Sequence, residues 1–335
     1  MTHEHHAGVD LLGVLGPLVA LVALAAYGAA IVGARRAGRA WPPARALSWV
    51  AGCLVAGTAV TGPLALASRT SWTAHMAGHV LLGMLAPLLL VLGAPVTLAL
   101  RALPVDHARR LSGVLRSRPL RVLTEPSVAA LLSVGGLWLL YATPLLALAH
   151  TSRLVGVLVH AHVLMSGYLF TAVLVGRDPL PHRRGARHLL VVLVLALAAH
   201  DVLAKRLYAD GYAPMAMVDL EQGAQLMYYG GDAVDLLLAV LVCLRWYRAG
   251  GRSRQRELHL ESSRRRPQGV LGQRIHAAGP AADAVHRVVE EQVRPRRRRQ
   301  LVRVPRAVHL LRRPAAQGEA GPVPVGPRPR PHHQA

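Results

Sequence analysis

Apolar runs about as long as a bilayer is thick recur along this chain, at roughly 10–33, 46–67, 75–100, 127–149, 154–176, 187–208 and 226–247. In hydrocarbon every backbone N–H and C=O must be satisfied within the protein, which leaves only helices or closed barrels as spanning structures. The runs are rich in Leu, Ala and Val and lack strict alternation, which argues against a barrel. The expected fold is therefore all-α: a polytopic membrane bundle of about seven transmembrane helices over residues 1–249. The third run is long enough to tilt, or to end in a bend at Gly93-Ala-Pro95.

Basic residues alternate between the connections. Arg35, Arg36, Arg39 and Arg45 follow the first run, Arg101, Arg109, Arg110, Arg116, Arg118 and Arg121 the third, and Arg177, Arg183, Arg184 and Arg187 the fifth. The other connections hold only Arg69, Arg153 and the pair Lys205 and Arg206. By the positive-inside rule the N-terminus is outside and the C-terminus cytoplasmic. Met1 to Asp10 carries no basic region, so the first run is expected to be a retained span and not a cleaved signal.

Much of the formal charge of +22 sits in residues 250–335, an Arg/Pro/Gly-rich stretch with the runs Arg264 to Arg266 and Arg296 to Arg299. It offers too little apolar surface to fold alone and reads as a disordered cytoplasmic tail. Its charge suits anionic membrane lipid, and no nucleic-acid partner is expected. A vocabulary without periodicity also fits a frameshifted extension of a GC-rich gene. Cys53 and Cys243, the only cysteines, form neither a disulfide framework nor a zinc motif.

Polar groups at membrane depth are expensive and mark functional sites by default. Given the orientation above, His75, His79, His160, His162, His200, Asp201, Asp232 and Asp235 all fall toward the outer side. One intramembrane histidine is commonly an interhelical hydrogen-bonder, but four runs bringing polar groups to one depth are harder to explain by packing alone. His75 and His79 are four residues apart and share a helix face, with Met76 beside them. His160 and His162 are two apart and point in different directions, so both cannot serve one site; His162 pairs with Met165. Neutral imidazole with thioether suits copper, Cu(I) above all, and not the oxygen-seeking cations. The candidate ligands are thus His75, His79, His160, His162, His200, Met76 and Met165, and His3, His5 and His6 could recruit metal weakly.

Several ordered stretches resemble the CtaG-type cytochrome c oxidase assembly family: His75-Met-Ala-Gly-His79, Ala86-Pro87, Leu92-Gly-Ala-Pro95, His160-Ala-His162 running on to Gly167 and Phe170, Gly176-Arg-Asp-Pro179, His200, Gln222-Gly-Ala-Gln225 running on to Gly230 and Gly231, and Trp246-Tyr247. The resemblance covers roughly residues 10–248. It implies a multi-pass protein of the bacterial plasma membrane that helps mature cytochrome c oxidase, with oxidase subunits as partners, a copper donor protein as a further one, and copper handled transiently.

Other readings compete. Paired histidines on facing helices could ligate a b-type haem. His200 with Asp201, Asp232 and Asp235 could conduct protons, although the inner half lacks continuing polar groups. A retinal protein needs a Schiff-base lysine, and Lys205 in the sixth run is the only lysine. A metal-free scaffold for oxidase subunits needs only the helix packing. An enzyme is not expected, because there is no phosphate loop, nucleophile elbow or HExxH; Gly78 stands where such a zinc helix would carry its glutamate.

Overall fold

The computed structural model describes residues 11–176, 178–179, 185–210 and 217–265, with side chains given for 13–209 and 217–248 within those ranges. The chain divides into two units, Met1–Ser263 and Arg264–Ala335, and the structure described below belongs to the first. No strand occurs among the described residues.

Six helices are long and apolar enough to cross a membrane: Gly13–Arg36, Pro43–Ala67, Trp72–Ala102, Arg153–Val175, Ala186–Ala209 and Met217–Arg248. A further pair, Pro126–Ala142 and Leu145–Thr151, is bent by 80° and makes a seventh if it counts as one span. The seven apolar runs thus recur as helices, one of them broken. In chain order they are called the first to seventh spans, the bent pair being the fourth. All spans that follow an Arg-rich connection begin at the same end, called the arginine end; the third, fifth and seventh begin at the opposite, histidine end. The last helix extends as Gly231–Arg265, past the boundary drawn at 249/250, in a stretch rich in the helix-favouring Arg, Gln, Glu and Leu. The remainder of the expected tail, 266–335, lies outside the described residues, as do His3, His5 and His6.

The third span is the centre of the bundle. Half of its most apolar stretch is buried, against 6% in the first span, whose Val14, Leu18, Val19 and Leu21 are open to the lipid a span of this kind requires. It packs on the first, second, fifth and seventh spans. Close backbone approach explains two glycines: a Cβ on Gly167 of the fifth span would collide with the carbonyl oxygen of Gly83, and one on Gly52 would sit 2.9 Å from Leu90 Cδ2. Such small-residue crossings are how helices gain contact where no hydrophobic force drives them together.

The expected bend in the third span lies where it was placed. Its helix stops at Leu92 and restarts at Pro95, with Ala94 in the left-handed region at φ 51°. Proline disfavours the right-handed α region for the residue before it, and the fully buried Ala94 is held in the left-handed region that a non-glycine residue seldom adopts. The freed groups are satisfied by neighbours. Tyr27 donates to Gly93 O at 2.8 Å, and Asp178, from the end of the fifth span, accepts Thr97 N–H at 2.8 Å and Thr97 Oγ1 at 2.6 Å. The Asp178 carboxylate is thus the cap of the restarted helix.

The other end of the third span is capped in the same way. Asp219, at the start of the seventh span, accepts the N–H groups of Trp72 at 2.6 Å and Thr73 at 3.1 Å and the hydroxyl of Ser71 at 3.0 Å. A carboxylate at a helix N-terminus satisfies orphan donors and faces the positive end of the dipole. One residue type, supplied by two different spans, therefore fixes both starts of the central helix.

Candidate functional site

Three of the spans contain a single π-helical turn: Leu81–Leu85 in the third, Leu131–Gly135 in the fourth and Leu226–Gly230 in the seventh. Such turns insert a residue into the helical register and recur at functional positions. Here each lies beside a histidine and a glycine. A Cβ on Gly83 would come within 3.3 Å of His79 Cε1, one on Gly231 within 2.6 Å of His200 Cε1, and one on Gly136 would collide with His162 Nε2. The wide turns and absent side chains make room for three imidazoles.

Two small cavities lie at the histidine end. The outer, ≈ 70 Å³, is lined by His75, His79, His150, His160 and Tyr141. The deeper, ≈ 50 Å³, is lined by His79, His200, Asp235, Ser133, Ser166 and Met84 among others. His79 borders both. It is buried, its Nε2 has no hydrogen-bond partner, and its ring lies 6.2 Å from that of His200 with the planes 25° apart. Neither ring nitrogen of His200 has a hydrogen-bond partner, and its Nδ1 lies 3.9 Å from Asp201 Oδ1.

His75 stacks on Trp72, and its Nε2 is 3.2 Å from Tyr141 Oη. Tyr141 in turn donates toward Met76 Sδ at 3.9 Å, so the expected thioether sits one group behind the imidazole, fully buried. The His150 ring is 5.8 Å from the His75 ring. His160 Nδ1 lies 2.7 Å from Gly156 O. A carbonyl only accepts, so Nδ1 carries the proton and the neutral ring keeps its lone pair on Nε2, the orientation in which metal-binding histidines are commonly held.

The two fifth-span histidines do point in different directions, as their spacing requires. His160 lines the outer cavity, whereas His162 is exposed and donates Nε2–H to Leu132 O at 3.1 Å, in the π turn of the fourth span. Met165, its supposed companion, is 65% exposed and turned away from the cavities. One helical register decides both: once Gly167 faces Gly83, positions 162 and 165 are carried to the outside. His75, His79 and His160 line one cavity, and His200 shares the other with His79.

Two groups went unnoticed in the sequence. His150 lies at the end of the bent fourth span and reaches the cavity only because of the 80° bend. Tyr141 is one of eight tyrosines, and no spacing marks it. Among the described residues no three His, Cys, Asp or Glu side chains are grouped so as to hold a metal ion. Cys53 and Cys243 are free thiols, the first buried and the second exposed.

Fold and site together define a polytopic helical membrane protein with a histidine-lined polar interior at one end of its bundle. Over residues 25–249 the chain matches the family model described as cytochrome c oxidase caa3 assembly factor, and it belongs to that family. It is 36% identical to an uncharacterized protein of Mycobacterium bovis over 182 residues, 52% of this chain and 27% of that one, and equally so to one of Mycobacterium tuberculosis. To an uncharacterized protein of Mycobacterium leprae it is 27% identical over 252 residues, 69% of this chain and 38% of that one. The chain thus spans between about a quarter and two fifths of the length of these relatives. No solved structure matches.

Proposed function

We propose that this protein serves cytochrome c oxidase maturation in a bacterial plasma membrane by taking up copper as cargo at the histidine end and passing it toward an oxidase subunit. The observation that carries the reading is the outer cavity, which four imidazoles from the third, fourth and fifth spans line. His160, with Nε2 left as a lone pair, and His75 are the first ligands; His79 completes the shell, and Met76 supplies a soft atom behind Tyr141. Ligands that do not converge on one point suit a carrier, because transfer fails where an ion is held too well. Family membership supports oxidase maturation as the process. The Arg-rich connections support an orientation with the histidine end outside, where a copper donor protein would meet it.

Cavities of ≈ 70 and ≈ 50 Å³ hold an ion or a few waters, which favours ionic cargo over a b-type haem. A metal-free scaffold is the other reading, with the histidines acting in packing alone. Copper titration of the purified full chain against a His75→Ala/His79→Ala variant separates them, together with oxidase activity of each in a deletion strain. Loss of both copper and oxidase activity is expected of the variant. Equal copper stoichiometry in the two proteins, or full restoration of oxidase by the variant, would leave the scaffold.

A further inference from the structure

We infer a second, deeper Cu(I) station formed by His79 and His200, which rests on the reading of copper as cargo. Three buried imidazole nitrogens, Nε2 of His79 and both nitrogens of His200, have no hydrogen-bond partner. Buried polar atoms are paired in the great majority of cases, and an orphaned group calls for an unseen water or ion. Both rings line the same ≈ 50 Å³ cavity. The two ring centroids lie 6.2 Å apart with the planes 25° apart, near enough for one small ion to be shared by both rings.

The surroundings suit a soft monovalent cation. Two donors suffice for Cu(I), whereas Zn(II) would need three or four, and no third ligand of that kind is grouped here among the described residues. Met84 offers thioether at the cavity wall, and the carboxyl group of Asp235 is buried on the same wall. Gly83 and Gly231 seat the two rings, since a Cβ at either position would press on an imidazole. His79 borders both cavities and would pass between stations: its bond to copper persists while a bond to His75 or His160 breaks and one to His200 forms. Copper stays Cu(I) throughout and no proton is required to move.

The test is anaerobic titration of the detergent-solubilised full chain with Cu(I), read against a chromophoric Cu(I) chelator, for wild type, His200→Gln and His75→Ala/His150→Ala/His160→Ala. With one ion held by His75 and His160 and a second by His79 and His200, the wild type is expected to hold one equivalent more than either variant. The triple variant loaded with Cu(I) is expected to give an X-ray absorption spectrum with two nitrogen neighbours, a measurement that leaves His200 intact and decides the matter if His200→Gln does not fold. Wild-type stoichiometry in His200→Gln, or a triple variant that binds no copper or shows three or more neighbours, would overturn the deeper station and leave the outer one standing. A wild type that takes up no Cu(I) would overturn both.

Discussion

The carboxylate of Asp219 accepts the backbone N–H of Trp72 at 2.6 Å, tying the first turn of the seventh span to the first turn of the third. His75 and His79 lie one and two turns further along the same helix, so the cap sets the position from which both imidazoles are presented. Asp219→Ala leaves three donors without their acceptor and is expected to lower stability by about 1–2 kcal/mol. Thermal unfolding in detergent measures it, and Asp219→Asn, which keeps one acceptor oxygen, should recover part of the loss.

At the crossing of the third and fifth spans, Gly167 admits no side chain because Gly83 O occupies the space. Gly167→Ala must push the helices apart and is expected to cost about 1–3 kcal/mol. Ser166→Ala, one residue away, removes only a hydroxyl with a 3.4 Å contact to Val163 O. Comparable losses in the two variants would mean that the crossing does not depend on close approach.

The two fifth-span histidines should separate cleanly. His160→Ala removes a lone pair facing the outer cavity and is expected to weaken copper binding about tenfold or more. His162→Ala removes a bond to Leu132 O and is expected to leave copper affinity near that of wild type while lowering stability. Isothermal titration of each variant with Cu(I) under anaerobic conditions gives the comparison.

Glu125, just ahead of the fourth span, has a depressed carboxyl pKa. Partial burial acts to raise it, but hydrogen bonds from Val128 N–H and Ser127 N–H and from His188 outweigh that effect. A carboxylate more acidic in the folded than in the unfolded state adds stability above the ordinary glutamate range, about pH 4.3, and loses it as pH falls through the folded value. Wild type should therefore lose more stability on acidification below that range than Glu125→Gln. Parallel pH profiles would refute the assignment.

Much of the architecture was legible because the bilayer leaves few options. Uninterrupted apolar runs must become helices, and Gly93-Ala-Pro95 offered the third a place to bend. Arginine placement sorts the connections into two sets. The clustering of His75, His79, His160 and His200 at one end follows from those two facts, since strict up-and-down order carries depth from one span to the next. The partners of each histidine did not follow. Nothing local distinguishes His160 from His162, or marks His150 and Tyr141, because the rotation of each helix about its axis is set by contacts with other helices.

Hydropathy and charge by themselves determined that this chain is a bundle of membrane helices with its histidines gathered at the end opposite its arginines. Only the tertiary structure decided which imidazoles face one another. Three π turns shift helical register by a residue, the approach of Gly167 to Gly83 fixes the roll of the fifth span, and an 80° bend carries His150 into the cavity. These are relations between distant parts of the chain, and a period of 3.6 read along one segment does not contain them.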